Sequence, residues 1–287
     1  MAQQTATPGI LWKILQFPAT RIFLGAFWII FAVVGTQTFF ASLIGSNSLL
    51  LLLVGMVVTI GVALGAYFTF VRAIEKRPVT ELSTSGALRE LGLGVLVGTG
   101  LFTAVIALLW LLGYYTVTGS NSLANVWPML TLAATTAVFE ELLFRGILFR
   151  IIEEPLGTWL ALAFSALLFG ILHLGNPNAT LWAATAIAIE AGILLAAGYM
   201  FTRRLWLVIG IHFAWNFVQG GIFGVAVSGN EGAGVLQSSL SGPVLLSGGA
   251  FGAEGSIFAV MFCLAAGLYF VRLAYRKRPF TTPIWRR

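Results

Sequence analysis

Long apolar runs separated by short polar segments recur along the whole chain. Examples are Ile22 to Ile44, Leu49 to Val71 and Leu91 to Gly113. Each run has about the 20 residues that a helix needs to cross about 30 Å of hydrocarbon. The runs are continuous, whereas the strands of a membrane barrel alternate between apolar and polar residues. The pattern therefore predicts an all-α fold, a polytopic membrane helical bundle.

The runs predict about eight transmembrane helices, roughly at 22–44, 49–72, 91–113, 126–149, 158–174, 179–201, 205–227 and 254–273. The bundle as a whole is predicted over 22–273. Residues 1–21 are interpreted as an N-terminal cytoplasmic or interfacial segment, and we expect no cleaved signal peptide. Residues 274–287 are predicted to form a basic cytoplasmic tail.

Composition supports this interpretation. Hydrophobic residues make up 59% of the 287 residues, charged residues only 9%, and the mean hydropathy is +0.95. Soluble domains average about 25% charged residues, so no soluble domain is expected. The one cysteine, Cys263, lies inside an apolar run, which excludes an internal disulfide and a metal site built on several thiolates.

Basic residues indicate the orientation in the membrane, because Lys and Arg accumulate on the cytoplasmic side. With eight spans, the loop and terminal cations all fall on one face: Lys13, Arg21, Arg72, Lys76, Arg77, Arg89, Arg150, Arg203, Arg204, Arg272, Arg276, Lys277, Arg278, Arg286 and Arg287. We therefore expect both termini in the cytoplasm and a multi-pass protein of the cell (plasma or inner) membrane. The net charge of +6 favours anionic lipid headgroups over nucleic acid as the partner.

A few ionisable and amide side chains interrupt the apolar spans, where a charge costs about 2.5–3.5 kcal/mol and marks a candidate functional site. The fourth span contains AVFEELLFRG, the fifth contains FGILH and the seventh contains GIHFAWNF. The residues concerned are Glu140, Glu141, Arg145, His173, His212 and Asn216. His173 and His212 are the only histidines in the chain.

Helix geometry predicts which of these side chains meet. Glu141 and Arg145 are four residues apart with the acid first, the favourable order for an ion pair. Glu140 is rotated by about 100° and faces elsewhere. His212 and Asn216 share a face. If the fourth, fifth and seventh helices pack together, these side chains supply a base, metal ligands or electrophilic donors, and an oxyanion stabiliser.

Purely structural explanations stay open for each residue. The Glu141–Arg145 pair could hold two helices together, and a membrane histidine or asparagine often forms only an interhelical hydrogen bond. Glu190, central in the sixth span, either lines the same cavity or bonds between helices as a protonated acid. Counted from the cytoplasm, His212 is about seven residues deep and His173 about fifteen. Either the fifth helix is tilted or begins deeper, a shift that a turn at 175–178 within the membrane would permit, or the site is less compact.

Three motifs in order resemble a known family: Glu140-Glu141-x-x-x-Arg145, then Phe169-x-x-x-His173, then His212-x-x-x-Asn216. They are similar to the signature of the type II CAAX prenyl protease and bacteriocin-processing family of intramembrane proteases. Flanking stretches agree over about residues 75–260, namely Arg77-Pro78 with Glu81-Leu82, Thr202-Arg203-x-Leu205-Trp206, and SGGAFGAEGS in the loop before the last span.

The resemblance implies an enzyme, an intramembrane endopeptidase acting on a membrane-associated protein or peptide. Some family members cleave prenylated CAAX-type tails. It implies Glu140 as the general base, with His173, His212 and Asn216 completing the site and Glu141 and Arg145 supporting it. The family's metalloprotease label implies a divalent metal, zinc, held by His173, His212 and Glu140. A glutamate hydrolase without metal uses the same residues and stays open.

Other classes fit the sequence less well. The chain has no aspartate, which excludes an aspartyl dyad, and the candidate serine nucleophiles Ser241 and Ser247 lie in the outer loop. A proton-coupled transporter would also place Glu and His in spans, but no repeat symmetry is visible. A non-catalytic membrane scaffold or bacteriocin immunity protein is the third alternative. The Gly- and Ser-rich loop from Ser228 to Ala253 is a lid or a flexible connector, and its composition favours the connector.

Overall fold

The apolar runs form the helices of a membrane bundle in the computed structural model, which describes residues 9–43 and 48–286. Ile44 at the predicted end of the first span, Arg287, and residues 1–8 of the predicted N-terminal segment lie outside this range. The helices are α1 Ile10–Leu15, α2 Pro18–Leu43, α3 Leu49–Phe70, α4 Ala87–Leu111, α5 Val126–Glu141, α6 Arg150–Leu172, α7 Leu181–Ile187, α8 Leu194–Thr202, α9 Trp206–Asn216, α10 Val244–Ser247 and α11 Ile257–Lys277.

Four π-helical segments interrupt or continue these helices: Val71–Glu75 after α3, Leu142–Phe149 after α5, Ala188–Ile193 between α7 and α8, and Phe217–Ile222 after α9. Short 3-10 turns occur at Thr80–Leu82, Leu123–Asn125, His173–Gly175, Gly249–Phe251, Ala253–Gly255 and Ile284–Arg286. Strands β1 Tyr115–Ser120 and β2 Leu236–Leu240 form an antiparallel pair with an irregular register between Val117 and Gly119.

The all-α membrane bundle predicted from the sequence is confirmed. Within residues 9–43 and 48–286, six helical segments are long and apolar enough to cross a membrane. One of them, Leu123–Gly175, contains both the predicted fourth and fifth spans and is broken at Gly157, where φ is 78°. The segment formed by α9 and Phe217–Ile222 is shorter than the eighteen residues required of such a span. The count of eight therefore stays a prediction.

Helix starts follow the sequence signals for capping. Ser48, Thr180 and Ser256 each precede a helix and accept a hydrogen bond from a backbone N–H in its first turn. Such a side chain satisfies a donor that the helix itself leaves unpaired. Pro18 begins α2, where its missing N–H costs nothing.

One end of the bundle, called the basic end here, holds the loops rich in Lys and Arg. At its centre is Glu75, whose carboxylate forms ion pairs with Arg21 at 2.6 Å, Arg77 at 2.9 Å and Arg150 at 2.8 Å. Arg21 and Arg150, expected as loop cations, are buried. Burial of this cluster is tolerable because each cation has a carboxylate partner. Which side of the membrane this end faces stays a prediction.

The flanking motifs around residues 77–82 and 202–206 fit together at the basic end. The N–H of Leu205 donates to the carbonyl of Glu81 at 3.0 Å, and the indole of Trp206 donates to the carbonyl of Ser83 at 2.8 Å. Leu205 is fully buried. Helix α9 therefore starts inside the bundle rather than at its edge, which places His212 deeper than a count from the loop suggests.

Helix α4 approaches α9 through glycines. A Cβ atom on Gly94 would lie 2.2 Å from the carbonyl oxygen of Leu207, and one on Gly98 would lie 2.3 Å from that of Ile211. On the facing helix, a Cβ on Gly210 would lie 2.4 Å from the carbonyl oxygen of Leu91. Small residues four apart allow membrane helices to approach this closely. This contact fixes the position of α9 and of the His212 that it carries.

The opposite end, called the outer end here, is folded over by the loop between α9 and α11. This loop contributes β2, which pairs with β1, and α10. Its motif SGGAFGAEGS has glycines with φ of 87°, 61° and 121° at Gly248, Gly249 and Gly252, a region that other residues rarely adopt. The loop therefore contains regular structure, and its role as a lid or a connector stays a prediction.

The glycine contact predicts that Gly94→Val destabilises the protein, because the new side chain would overlap the backbone of α9. Overpacking of this kind costs about 1–3 kcal/mol. Thermal unfolding in detergent should show a lower midpoint for Gly94→Val than for wild type. Gly100→Val is the matched control, since nothing lies within 4 Å of a Cβ at Gly100. Equal midpoints for the two variants would contradict the proposed role of the contact.

Candidate active site

A buried ion pair lies where α5 passes into its π-helical continuation. Arg145 donates from Nη1 to Oε1 of Glu141 at 2.9 Å, and both side chains are fully buried. The pairing predicted from their i, i+4 spacing is confirmed. The guanidinium also lies over the ring of Phe169, with its carbon 4.8 Å from the centroid.

The π-helical segment Ala188–Ile193 supplies further partners for Arg145. Its Nη2 donates to the carbonyl oxygens of Ala191 at 3.1 Å and Gly192 at 3.3 Å. Gly192 also lets α6 approach, because a Cβ there would lie 2.8 Å from the Cα of Ala166. Segments of this kind are frequent at functional sites, since they free backbone carbonyls from the regular ladder.

His212 on α9 completes a chain of three side chains. Its Nδ1 lies 2.9 Å from the same Glu141 Oε1 that Arg145 contacts. A carboxylate that is paired with arginine only accepts, so Nδ1 carries a hydrogen, and in the neutral imidazole Nε2 is then the acceptor. That Nε2 lies 3.9 Å from Oε2 of Glu140. Glu141 therefore orients the imidazole towards Glu140.

His173 lies at the carboxyl end of α6, in the turn His173–Gly175. Its Nδ1 is 2.7 Å from the carbonyl oxygen of Phe169. Because a carbonyl only accepts, this nitrogen is the donor and Nε2 stays available. The ring of Phe169 lies between the two histidines, with centroid distances of 4.8 Å to His173 and 6.2 Å to His212. The difference in depth expected from the sequence does not separate them.

A cavity of about 210 Å³, called the main cavity here, brings the predicted site residues together. Its polar lining includes Glu140, His173, His212, Asn216, Asn176, Ser228 and Asn230. Liquid water occupies about 30 Å³ per molecule, so the cavity has room for several waters. Oε2 of Glu140 is buried without a hydrogen-bond partner in the described part of the chain. The cavity therefore has the space for water beside the carboxyl group of Glu140.

The metal set implied by the resemblance is not formed by these side chains. Each histidine donates Nδ1–H and keeps Nε2 free, as metal ligands do. Among the residues that the structure describes, however, no three His, Cys, Asp or Glu side chains are arranged to hold a metal ion. The set of His173, His212 and Glu140 thus does not fit a three-ligand zinc site in this structure, and zinc binding stays a prediction.

The outer loop adds residues that sequence reasoning missed. Ser228, with φ of 47°, donates its N–H to Oε1 of Glu254 and accepts at its carbonyl from Asn176 at 3.0 Å. Glu254 belongs to the SGGAFGAEGS stretch, so the resemblance pointed to its segment but not to its contact. Burial raises the pKa of the Glu254 carboxyl to about 7, although the hydrogen bond from Ser228 lowers it.

Glu190 lies in a side pocket of about 30 Å³ next to the main cavity. The pocket shares His173, His212, Asn216 and Ser228 with the main cavity, and its other polar lining is Glu190, Glu254 and Cys263. Oε2 of Glu190 is buried and has no hydrogen-bond partner within the described residues. Glu190 thus lies next to the main cavity, and the choice between a cavity-lining residue and a protonated acid between helices stays open.

Comparison with known proteins gives one match. Residues 121–218, about a third of the chain, match the family model described as type II CAAX prenyl endopeptidase Rce1-like. The matched range contains Glu140, His173, His212 and Asn216. The family resemblance of the sequence motifs is thereby confirmed over these residues, and it supports an intramembrane endopeptidase as the general class. No curated protein and no solved structure matches the chain.

The buried ion pair predicts a large loss of stability in Arg145→Met. Removing one partner of a buried pair costs about 3–5 kcal/mol, because the other charge is left without compensation. The double variant Glu141→Gln with Arg145→Met should recover part of this loss, since its glutamine still accepts from His212. Chemical unfolding in detergent measures both free energies. A single variant as stable as wild type would contradict the proposed balance of charges.

The raised pKa of Glu254 predicts a dependence of stability on pH. Its value of about 7 in the folded protein exceeds the ordinary 4.5, so the folded state favours the protonated carboxyl. The protonated carboxyl contributes fully to the free energy of unfolding below about pH 4.5. This contribution is lost as the pH rises to about 7 and above, which lowers the free energy of unfolding by about 3 kcal/mol. In Glu254→Gln, the midpoint of thermal unfolding should depend less on pH between pH 5 and 7 than in wild type. Glu231→Gln, a variant of an exposed loop residue, should keep the pH dependence of wild type.

Proposed function

We propose that the protein is an intramembrane endopeptidase that hydrolyses a peptide bond of a membrane-associated protein or peptide, with Glu140 as the general base. The observation that carries this proposal is the convergence of Glu140, His173, His212 and Asn216 around the main cavity. Three separate helical segments contribute them. A scaffold gains nothing from facing a carboxylate without an arginine partner towards two oriented imidazoles within the bundle.

Water activation is assigned to Glu140. Its carboxylate faces the main cavity with one oxygen unpaired, whereas the neighbouring Glu141 is already occupied by Arg145 and His212. A base has to be within hydrogen-bond reach of the proton that it takes. In the proposed step, Glu140 removes a proton from a water whose oxygen attacks the carbonyl carbon of the substrate.

His212 is proposed to assist this proton transfer. Its Nε2, 3.9 Å from Glu140 Oε2, accepts the proton from Glu140 as the site adjusts to substrate. Glu141 then faces the imidazolium through Nδ1–H and stabilises its charge. The proton passes to the nitrogen of the peptide bond when that bond breaks, so the amine leaves neutral and the new carboxylic acid retains the oxygen of the water.

Asn216 and His173 are proposed to orient the reacting atoms. The amide of Asn216 supplies a donor at the cavity wall for the oxygen that becomes negative in the tetrahedral intermediate. His173, with Nδ1 held by Phe169, accepts the second hydrogen of the water at Nε2. Loss of a single oxyanion donor costs about 10²–10³ in kcat in other hydrolases.

Glu140→Gln is expected to abolish cleavage of a membrane-tethered peptide by the reconstituted protein, because the amide cannot accept the proton. The loss should be at least about 10²–10⁴-fold, the contribution of general base catalysis. The thermal midpoint should stay close to that of wild type, since Glu140 has no ion pair to an arginine. Glu231→Gln in the outer loop is the control for charge. Unchanged cleavage by Glu140→Gln would refute the assignment of the base.

A further inference from the structure

An apolar groove, called the α2/α3 groove here, runs between α2 and the carboxyl end of α3 and shares no lining residue with the main cavity. Leu24 and Ile74 line it towards the basic end, and Phe27 and Trp28 line it further along α2. Its volume is about 380 Å³. Trp28 lies about 15 Å from the start of α2, since a helix rises about 1.5 Å per residue. The groove therefore follows the membrane-spanning part of this helix.

The walls of the α2/α3 groove suit an apolar chain. Both polar side chains in the lining already have partners: the indole N–H of Trp28 donates to the hydroxyl of Thr69 at 3.1 Å, and this hydroxyl donates to the carbonyl of Ala66 at 3.0 Å. Phe27 also stacks on the exposed Phe31, with ring centroids 6.1 Å apart. An acyl chain fits this surface, because it needs neither a donor nor an acceptor.

Exposed cations lie at the basic end of the groove. Arg72 and Lys76 adjoin the lining residues of the π-helical segment after α3, and both are exposed. Arg72 donates to the carbonyl of Arg77 at 3.3 Å, a contact that leaves its charge uncompensated. Within residues 9–43 and 48–286, neither Arg72 nor Lys76 forms an ion pair with a carboxylate, whereas the arginines around Glu75 all do. These two cations are therefore available to an anion from outside the chain.

Helix α1 brings a third exposed cation, Lys13, to the same place. The amide of Gln16, directly after α1, donates to the carbonyl of Ile74 at 2.7 Å. Nζ of Lys76 lies 4.2 Å from the centroid of the Trp12 ring on α1. The exposed apolar side chains of α1 suit a position in the membrane interface, where lipid headgroups lie. They are Ile10, Leu11 and Ile14.

We propose that the α2/α3 groove binds one anionic phospholipid, with an acyl chain between the two helices and the phosphate next to Arg72, Lys76 and Lys13. Basic pockets between membrane helices bind anionic headgroups in this way. A zwitterionic headgroup is disfavoured, because its own ammonium group would meet the same three cations. None of these residues lines the main cavity, so the proposal does not rest on the proposed function.

Binding of defined lipids to the purified protein tests the headgroup contacts. Phosphatidylglycerol and phosphatidylcholine with identical acyl chains are titrated into the protein in neutral detergent, and native mass spectrometry counts the lipids retained. Wild type should retain one phosphatidylglycerol in preference to phosphatidylcholine. Arg72→Gln with Lys76→Gln should weaken this binding about 25-fold, since each cation near an anionic group contributes about fivefold. Arg272→Gln with Arg276→Gln, which removes two exposed cations from α11, is the matched control and should bind as wild type does.

Ala73→Phe tests the groove itself. The new ring would fill the space beside Ile74 and leave the three cations in place, so the affinity for phosphatidylglycerol should fall at least tenfold. Val57→Phe is the matched control and should bind as wild type does, because Val57 is 63% exposed on α3 and lies outside the groove. Glycerol phosphate, which carries the charge of the headgroup without acyl chains, should not displace the bound lipid.

Each alternative result counts against the site. Equal retention of the two lipids by wild type, or equal losses in the two double variants, would show a general attraction to the basic end and overturn the proposal. Unchanged affinity in Ala73→Phe, or displacement of the lipid by glycerol phosphate, would overturn it as well. If the double variant at Arg72 and Lys76 does not fold, the lipid preference of wild type and the affinity of Ala73→Phe still decide.

Discussion

The need to neutralise charge inside an apolar bundle determines the arrangement of the site. Glu141 is the central group, because its carboxylate contacts both Arg145 and His212 at 2.9 Å. Glu141 and Arg145 are both fully buried, so each charge depends on the other for compensation. With Glu141 committed to both, the neighbouring Glu140 is the carboxylate that stays free to face the cavity. One ion pair therefore links three helical segments and leaves Glu140 as the carboxylate to which the proposed reaction is assigned.

Irregular helix geometry frees backbone polar groups that a regular membrane helix would use in its own hydrogen bonds. Of the four π-helical segments, the one after Glu141 contains Arg145, the one between α7 and α8 offers two carbonyls to that arginine, and another follows Asn216. Gly146 in the first of these accepts from Tyr67 and Arg150. Such carbonyls are satisfied by side chains within the protein, since lipid offers no donors. The same irregularities that hold the basic end together thus also position the site.

The sequence predicted what depends on local spacing. The Glu141–Arg145 pair follows from an i, i+4 interval on one helix, and the bundle follows from apolar runs of membrane length. That His173 and His212 line one cavity was inferred from residue type. In the structure this depends on α9, which starts inside the bundle and so places His212 at the depth of the cavity. Contacts between residues far apart in the sequence have no local spacing from which they could be predicted. The pairing of Glu254 with Ser228, 26 residues apart, and the burial of Arg150 against Glu75 depend on loop paths that hydropathy does not encode.

The closed basic end also bears on the choice between hydrolase and transporter. A secondary transporter exposes its central site alternately to both sides, which requires elements that open at each end. Here the basic end is closed by interlocked arginines and glutamates and by fully buried apolar side chains. A transporter is also closed at one end in each of its two states, so the case for hydrolysis rests on the carboxylate of Glu140 facing the imidazole of His212 rather than on the closed end.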